Sequence, residues 1–379
     1  MALIWTEDQE LLREVARGFL DENAPISELR RLRDDVDPDG FSRPLWKEMA
    51  ELGWAGIPFD EAYGGAGLGY TELGVVFQEC GRTLAATPLV GSVLLGGSAI
   101  ALGGDDTQRE AILPPLCAGE RLLAAALQEG AHHAPYHVST RAEPDGDGWT
   151  LNGRKTFVID GHVADQIIVS ARVSGEPGDR DGLALFIVDG GASGLTRSRR
   201  IMVDGRNAAE LTLNDVQLPK EAALGTPGLG ADILDPLFDR AAACMAAEML
   251  GGIETAFDKT LEYLKVREQF GVPIGSFQAL KHRAAKMFIE VELSKSVVLE
   301  ALQSIDDQHA ETARNVSVAK AKVSQTAALV SNEGVQMHGG IGVTDEEDIG
   351  LFLKRARVQQ RTFGDEEFHR DRFAGLAGY

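Results

Sequence analysis

The hydrophobic pattern changes its period twice along the chain, and this limits the possible folds more than any other feature of the sequence. Apolar residues recur at three- and four-residue spacing in the first part, as at Leu11 and Val15, which predicts amphipathic helices. Short apolar runs separated by Gly- and Asp-rich turns follow and predict strands. The helical period then returns and continues to the end. The sequence therefore predicts an α+β multidomain protein with an N-terminal all-α domain (1–120), a middle β-sandwich or barrel domain (121–228) and a C-terminal four-helix bundle (229–379).

Turn dipeptides and hydrophobic spacing predict individual elements in the middle and last parts of the chain. The Asn152-Gly153 pair after Trp149-Thr150-Leu151 predicts a hairpin turn, because this dipeptide favours the two-residue turns that join antiparallel strands. In the last part, the long helices of the predicted bundle cover residues 239–266, 277–303, 311–335 and about 345–361.

Composition and charge exclude some classes of partner. The net charge of −21 argues against nucleic acid and anionic membranes, because both require a basic surface. The three cysteines are few and widely spaced, which predicts neither a disulfide framework nor a metal site and favours a reducing cytoplasm. The N-terminal residues do not resemble a signal peptide. Residues 83–104 lack charge, but Pro88 and the Gly96-Gly97 pair favour two short buried helices over a membrane span.

A break in the helical pattern at Gly271 and Pro273 is the best candidate for a binding site. A glycine and a proline this close together stop a helix and turn the chain. The turn holds a cation, two amides and an aromatic ring, which suit a flat ring system carrying a diphosphate: Arg267, Gln269, Gln278 and Phe270. An ordinary corner between two helices is the alternative interpretation of this segment.

Two histidines adjacent in sequence, His132 and His133, lack spaced acidic partners. We therefore interpret them as polar residues of a loop rather than as a metal site.

Taken together, several segments resemble the acyl-CoA dehydrogenase family of flavoproteins, and the likeness covers essentially the whole chain. The resemblance lies in residues 45–54 with 64–69, 151–155, 267–278 and 336–342. It implies an FAD held at a subunit interface, with Arg267 and Gln269 near the diphosphate and adenosine end. Phe270 would pack and Gln278 would hydrogen-bond. The segment with Gln336, Gly339 and Gly340 would come from the neighbouring subunit, and Leu127, Gln128, Phe157 and Ile159 would lie around the isoalloxazine ring.

The resemblance also implies a reaction and partners. Members of this family convert an acyl-CoA to the trans-2-enoyl-CoA: a carboxylate removes the α proton while the β hydrogen leaves as hydride to the flavin. Electrons then pass to an electron-transfer flavoprotein. The expected assembly is a homodimer or homotetramer, or a hetero-oligomer with a second acyl-CoA dehydrogenase subunit.

The sequence departs from the family where the catalytic carboxylate is expected. In the C-terminal motif that usually carries the base, Phe363 occupies the position of the glutamate. A minority of members carry the base on the first helix of the bundle, and the family's spacing from Tyr263 ends at Ala241. Asp365 and Asp239 are the nearest acids and our candidates for the base, with Glu366, just after Asp365, as a third. All three also fit surface or helix-start carboxylates. Phe157-Val158-Ile159 stands where the family usually has Trp-Ile-Thr.

These departures leave three functions open. The first is an acyl-CoA dehydrogenase acting on a bulky or ring-containing acyl group, because Phe363 would fill space near the flavin and the segment 363–370 resembles bacterial members that degrade such acids. The second is a catalytically silent flavin-binding subunit that completes a partner's site. The third is a flavin monooxygenase on the same fold, because loss of the base would also accompany such a change of chemistry.

Overall fold

The computed structural model describes residues 4–379, so Met1–Leu3, and with them part of the N-terminal segment considered for a signal peptide, lie outside the described residues. Two compact units divide this part of the chain. The bundle unit comprises residues 4–31, Tyr70–Ala85 and Ala242–Tyr379, and the sheet unit comprises Leu32–Gly69 and Ala86–Ala241.

Eleven α-helices and ten strands lie within residues 4–379. The helices are α1 (Glu7–Asn23), α2 (Ile26–Asp34), α3 (Arg43–Glu51), α4 (Tyr70–Thr83), α5 (Ser98–Gly103), α6 (Asp106–Cys117), α7 (Ala231–Val266), α8 (Gln278–Asp306), α9 (Thr312–His338), α10 (Ile349–Arg361) and α11 (Glu366–Leu376). The strands are β1 (Leu123–Ala126), β2 (Arg141–Asp145), β3 (Gly148–Ile159), β4 (Gln166–Arg172), β5 (Leu183–Asp189), β6 (Leu195–Ile201), β7 (Asn207–Pro219), β8 (Ala223–Gly228), β9 (Glu268–Gln269) and β10 (Val272–Pro273).

Close backbone contact joins α4 to α7 inside the bundle unit. A Cβ atom added at Gly81 would lie 1.9 Å from the carbonyl oxygen of Glu248, and one added at Gly251 would lie 1.8 Å from that of Gln78. Because neither position has room for a side chain, the two helices pack with their backbones in contact at this crossing. The glycines therefore set how closely α4 can approach α7.

The long helices follow the predictions, with two differences in the C-terminal part. Helix α7 begins at Ala231, so Asp239 lies inside the helix rather than at its start. Helix α11 was not predicted, because its eleven residues follow directly on the Gly364 turn and carry four acidic and basic residues among its first six. The C-terminal part thus contains one short helix in addition to the four that were predicted.

The sheet unit is built around one eight-stranded sheet. Its strands run in the order β6-β7-β3-β2-β4-β5-β8, and β1 pairs in parallel with β4. Alternate residues of β3, β4, β5 and β7 enter one apolar cluster that includes Leu151, Val158, Ile167, Phe186 and Leu211. Nearly every residue of β4 and β5 is buried, and this burial on both faces of the sheet is the physical reason for the short continuous apolar runs in the sequence.

The predicted hairpin turn at Asn152-Gly153 is wrong. Strand β3 continues through both residues, and its turn to β2 lies before Gly148, where Gly146 has a φ of +58°. At Asn152 the pairing of β3 with β7 shifts register, and the Asn152 side chain exchanges two hydrogen bonds with Asp215, at 2.9 and 2.8 Å. The Asn-Gly pair therefore forms a bulge, which uses the same tolerance for unusual backbone angles as a turn does.

The uncharged segment of residues 83–104 contains two short helical stretches, as predicted. Residues Leu89–Gly97 form a π-helical stretch whose side chains are all buried, and α5 follows it directly. Within residues 4–379, the structure has no helix that is both long enough and apolar enough to cross a membrane.

Candidate active site

The turn predicted after α7 is a small antiparallel hairpin of β9 and β10. Positive φ angles at Phe270 (+57°) and Gly271 (+76°) reverse the chain, as in the tight turns that join such strands. The amide of Ile274 donates to the carbonyl of Arg267 over 2.7 Å, and the amide of Arg267 donates to the carbonyl of Tyr263 over 2.9 Å. The backbone therefore fixes the hairpin at the end of α7.

The polar groups of this hairpin point to solvent and are available to a ligand. Arg267 is exposed, and its guanidinium makes no ion pair with any carboxylate of residues 4–379. The Gln269 amide donates locally to the carbonyl of Glu268, at 2.8 Å. Phe270 is 92% exposed and meets the edge of Phe277 at 6.2 Å between ring centroids. This donor set fits a diphosphate joined to a flat ring, the groups that FAD presents.

The second predicted flavin segment lies beside the first in the bundle unit. Tyr263 stacks on His338 with ring centroids 4.4 Å apart, and His338 is the last residue of α9. Gln336 is exposed on that last turn, and Gly339 and Gly340 follow it with nothing within 4 Å of an added Cβ atom. The stack therefore ties the Arg267 hairpin to the exposed glycine backbone after α9. Gln278, at the start of α8, is also exposed.

In the sheet unit, the two segments predicted to lie around the isoalloxazine ring are neighbours. The amide of Thr156 donates to the carbonyl of Gln128 over 2.8 Å, which places Leu127 and Gln128 next to Phe157. Phe157 has a φ of +53°, an angle that costs an aromatic residue of order 1–3 kcal/mol, and it lies at the register shift between Lys155 and Val158 in the pairing of β3 with β7. Leu127 and Ile159 are buried on either side of this contact.

A buried ion pair anchors the loop that begins at Gln128. The Lys155 ammonium, fully buried, donates to Glu129 at 2.6 Å and to Ser170 at 3.0 Å. Burial lowers the pKa of Lys155 to about 8, and Glu129 opposes this change. Burial alone would raise the pKa of Glu129, but the charge of Lys155 and the hydrogen bonds from Lys155, Thr140 and Ser139 outweigh it and hold this pKa below its usual range.

Farther along this loop, the structure brings two side chains against the start of α7. The Tyr136 hydroxyl donates to Asp235 at 2.6 Å, and burial raises the pKa of Tyr136 to about 12, with Asp235 adding to the shift. The ring of His133 meets Phe238 edge-on, at 4.8 Å between centroids. Sequence reasoning missed both contacts, and His133 was interpreted as loop polarity. No local pattern of the sequence indicates them, because the partners in each contact lie far apart along the chain.

Of the three acids predicted as candidates for the base, Glu366 forms an ion pair with Arg370, and the other two have different surroundings. Asp365 caps α11, accepting the amide of Phe368 at 3.0 Å, and forms an ion pair with Arg361. Asp239 is 9% exposed and lies two residues before Ala241 on α7. Because α7 is continuous here, this step turns the side chain by about 200°, so Asp239 and Ala241 lie on opposite sides of the helix.

Phe363 lies in a turn that buried polar groups hold. It is 8% exposed and has a φ of +59°. Its carbonyl lies 2.9 Å from Nε2 of His369, and the fully buried Lys320 ammonium donates to the carbonyl of Gly364 at 2.8 Å and to that of Gln359 at 3.1 Å. Burial lowers the pKa of Lys320 to about 7, against the charge of Asp365. Sequence reasoning also missed the burial of Lys320. The only indication of it in the sequence is the position of this lysine within a helix rich in Ala and Val.

Known protein families match this chain in three consecutive parts, in the order that the sequence predicted. Residues 6–120, 127–216 and 228–375 match the N-terminal, middle and C-terminal domains of acyl-CoA dehydrogenases. The chain therefore has the N-terminal helical domain, middle β domain and C-terminal helical bundle that the sequence predicted.

Two relatives and one solved structure resemble almost the whole chain. A probable acyl-CoA dehydrogenase, YngJ of Bacillus subtilis (strain 168), is 31% identical over 96% of both chains. The caffeyl-CoA reductase-Etf complex subunit CarC of Acetobacterium woodii is 29% identical over 94% of both. A solved structure, a variant of the Tcur3481-Tcur3483 steroid ACAD, is 32% identical, with a TM-score of 0.87 over 98% of both chains. The chain thus belongs to the acyl-CoA dehydrogenase family, FAD-dependent oxidoreductases that act on acyl-CoA thioesters.

Proposed function

We propose that this chain is an FAD-binding acyl-CoA dehydrogenase subunit that introduces a trans-2 double bond into a ring-containing acyl-CoA. The observation that carries the proposal is the exposed Arg267 guanidinium, which has no carboxylate partner within residues 4–379 and lies on a hairpin with Gln269 and Phe270. A cation left without a partner on a chain with a net charge of −21 suits an anionic ligand.

The residues of the two units have distinct roles in this proposal. Arg267 and Gln269 hold the diphosphate and adenosine end of FAD, with Gln278 as a further donor and Phe270 packing on the cofactor. Gln336, Gly339 and Gly340 present backbone and amide groups to the FAD of a neighbouring subunit. Leu127, Gln128, Phe157 and Ile159 surround the isoalloxazine ring. When bound, FAD supplies the acceptor for the hydride that leaves the β carbon. We retain the division into residues 1–120, 121–228 and 229–379 as part of this proposal.

The proposed acyl group is ring-containing for two reasons. The buried ring of Phe363, held in its turn by Lys320 and His369, adds an apolar face where relatives carry a carboxylate. In addition, the names of two similar proteins refer to caffeyl-CoA and to a steroid, and both of these acyl groups contain rings. Flat or fused rings offer more surface to an aromatic side chain than a straight alkyl chain does.

A second subunit and an electron acceptor complete the proposal. Large apolar side chains are exposed around the hairpin and along α8, where a partner would cover them: Val266, Phe270, Val272, Phe277, Phe288, Ile289 and Leu293. The partner is a second copy, in a homodimer or homotetramer, or a different acyl-CoA dehydrogenase subunit, as the paired name Tcur3481-Tcur3483 suggests for that structure. The name of the caffeyl-CoA reductase subunit includes Etf, which supports an electron-transfer flavoprotein as acceptor.

The three cysteines are buried thiols, consistent with a cytoplasmic location.

Anaerobic titration of the FAD-loaded protein tests the proposal. Aliphatic, aryl and sterol acyl-CoA thioesters are added in turn while the flavin absorbance is followed. We expect the ring-containing thioesters to bleach the flavin and to yield the trans-2-enoyl product by mass spectrometry. A protein that does not bind FAD contradicts the proposal, and preferential bleaching by straight-chain thioesters contradicts the assignment of the acyl group.

The silent-subunit function remains the second candidate, because positions 363 and 241 carry Phe and Ala. Bound FAD without bleaching by any thioester, followed by bleaching after addition of a second subunit, would favour it. Oxygen consumption by the reduced protein, with transfer of one oxygen atom to a substrate, would favour the monooxygenase.

A further inference from the structure

We propose that a cavity inside the bundle unit binds one ordered water molecule, which joins the side chain of Ser331 on α9 to that of Gln359 on α10. Residues of four helices line the cavity, α4, α7, α9 and α10, and all of these residues belong to the bundle unit. The inference is independent of the proposed function, because it rests on the packing of these helices alone.

Most of the cavity wall is apolar. The large side chains in it are buried: Leu84, Met249, Ile253, Val330 and Phe352. A cavity formed by such side chains alone stays dry, because a water molecule inside it would find no hydrogen-bond partner. The polar groups of the wall therefore decide what the cavity holds.

Two buried polar groups in this wall lack a partner. Neither Nε2 of Gln359 nor Oγ of Ser331 forms a hydrogen bond with any group of residues 4–379. Each of the two residues is only 3% exposed, so bulk water does not reach them. A buried polar group without a hydrogen bond opposes folding, and in folded proteins such groups are commonly satisfied by ordered water.

The size and the charge of the cavity favour water over other ligands. The volume open to the centre of a water molecule is about 20 Å³, and one water needs roughly 10–15 Å³ on this measure. This volume is too small for an organic molecule. The Arg355 guanidinium in the wall pairs with the Glu248 carboxylate at 2.6 Å, so its charge is compensated and an anion is not favoured.

The chemistry of water suits both side chains. A water molecule accepts a hydrogen bond from the Gln359 amide and can donate to, or accept from, the Ser331 hydroxyl. Immobilising one water costs less free energy than leaving two buried polar groups unpaired. The backbone of Gln359 already joins the same two helices, since its carbonyl accepts from the Lys320 ammonium at 3.1 Å. The water adds a second link between α9 and α10.

High-resolution crystals of the FAD-loaded protein, with and without xenon pressure, test the proposal. Xenon enters dry apolar cavities, so it distinguishes a dry cavity from one that holds water. We expect a fully occupied water within about 2.7–3.2 Å of both Gln359 Nε2 and Ser331 Oγ, and no xenon at this place. Xenon in the cavity, or no density there, would overturn the proposal. A water bonded to only one of the two side chains, or an anomalous signal after a bromide soak, would overturn it as well.

A double variant and a matched control complete the test. The change Ser331→Ala with Gln359→Met removes both polar groups and nearly keeps the volume of the side chains, so we expect the water to disappear and xenon to enter. Ser324 is a fully buried serine two turns earlier on α9, outside the cavity wall, and the water should remain in Ser324→Ala. Melting temperature and bound FAD confirm that each variant is folded.

Persistence of the water in the double variant would show that the two side chains do not hold it, and this result also contradicts the proposal. If the double variant does not fold, the crystals of the parent still decide between a cavity that holds water and a dry one.

Discussion

At the scale of single residues, buried cations shape the site more than the sequence indicates. Lys155 and Lys320 are both fully buried, yet Lys155 has a carboxylate partner, whereas Lys320 is surrounded by carbonyls at the end of α10. The negative end of a helix favours a cation there, but burial still opposes the charge. Nothing local to either lysine marks it as buried, since the groups that enclose it come from distant parts of the chain.

The Lys320→Met variant should change how stability depends on pH. The folded pKa of Lys320 is about 7 and the ordinary value 10.5, so between these values the unfolded chain binds a proton that the folded chain does not. Stability from this group is therefore gained as pH rises. From pH 7.5 to 9, we expect the free energy of unfolding of the parent to rise by about 2 kcal/mol more than that of Lys320→Met. Urea unfolding at several pH values measures it, and parallel curves would refute the pKa shift.

Arg267→Ala should weaken FAD binding. Loss of one charge-assisted contact to a phosphate costs about 1.5–3 kcal/mol, so we expect the Kd for FAD to increase about 10- to 150-fold. The exposed Lys265, which pairs with Glu262, provides the control: Lys265→Ala should bind FAD like the parent. Fluorescence titration of the apoprotein with FAD measures both variants, and equal affinity in Arg267→Ala would argue against the assigned role.

At the scale of elements, the periodicity of the sequence predicted the long helices and most strands, since burial of one face leaves a direct trace in the sequence. It did not predict the register shift at Asn152-Gly153, because turns and bulges share the same residue types. It also missed α11, whose short, highly charged sequence has little periodicity. The contact of His133 with Phe238 depends on how a loop meets a helix, which no local pattern encodes.

The close packing of α4 against α7 predicts that a larger residue at the crossing lowers the free energy of unfolding. In Gly251→Ala the new methyl group meets the backbone at 1.8 Å, so the helices must move apart. We expect the free energy of unfolding to fall by about 1–3 kcal/mol. Gly18→Ala in α1 has nothing within 4 Å and should be neutral or stabilising by roughly 0.5–1 kcal/mol. Chemical denaturation compares the two, and similar stabilities would contradict the close packing.

At the scale of the whole molecule, the exposed apolar side chains on α8 predict association. Ile289→Glu would place a charge among Phe288 and Leu293 on that surface, so we expect a smaller assembly than the parent forms. Leu11→Glu, which alters an exposed leucine on α1, should leave the assembly unchanged. Sedimentation velocity distinguishes the outcomes, and an unaltered assembly in Ile289→Glu would place the interface elsewhere.

The stacking of Tyr263 on His338 also has a genetic consequence. One ring belongs to the helix before the Arg267 hairpin and the other precedes the paired glycines, so an amino-acid change at either position disturbs both segments at once. We therefore expect a mutation at one of the two positions to be tolerated better when a second mutation at the other restores the contact between the side chains.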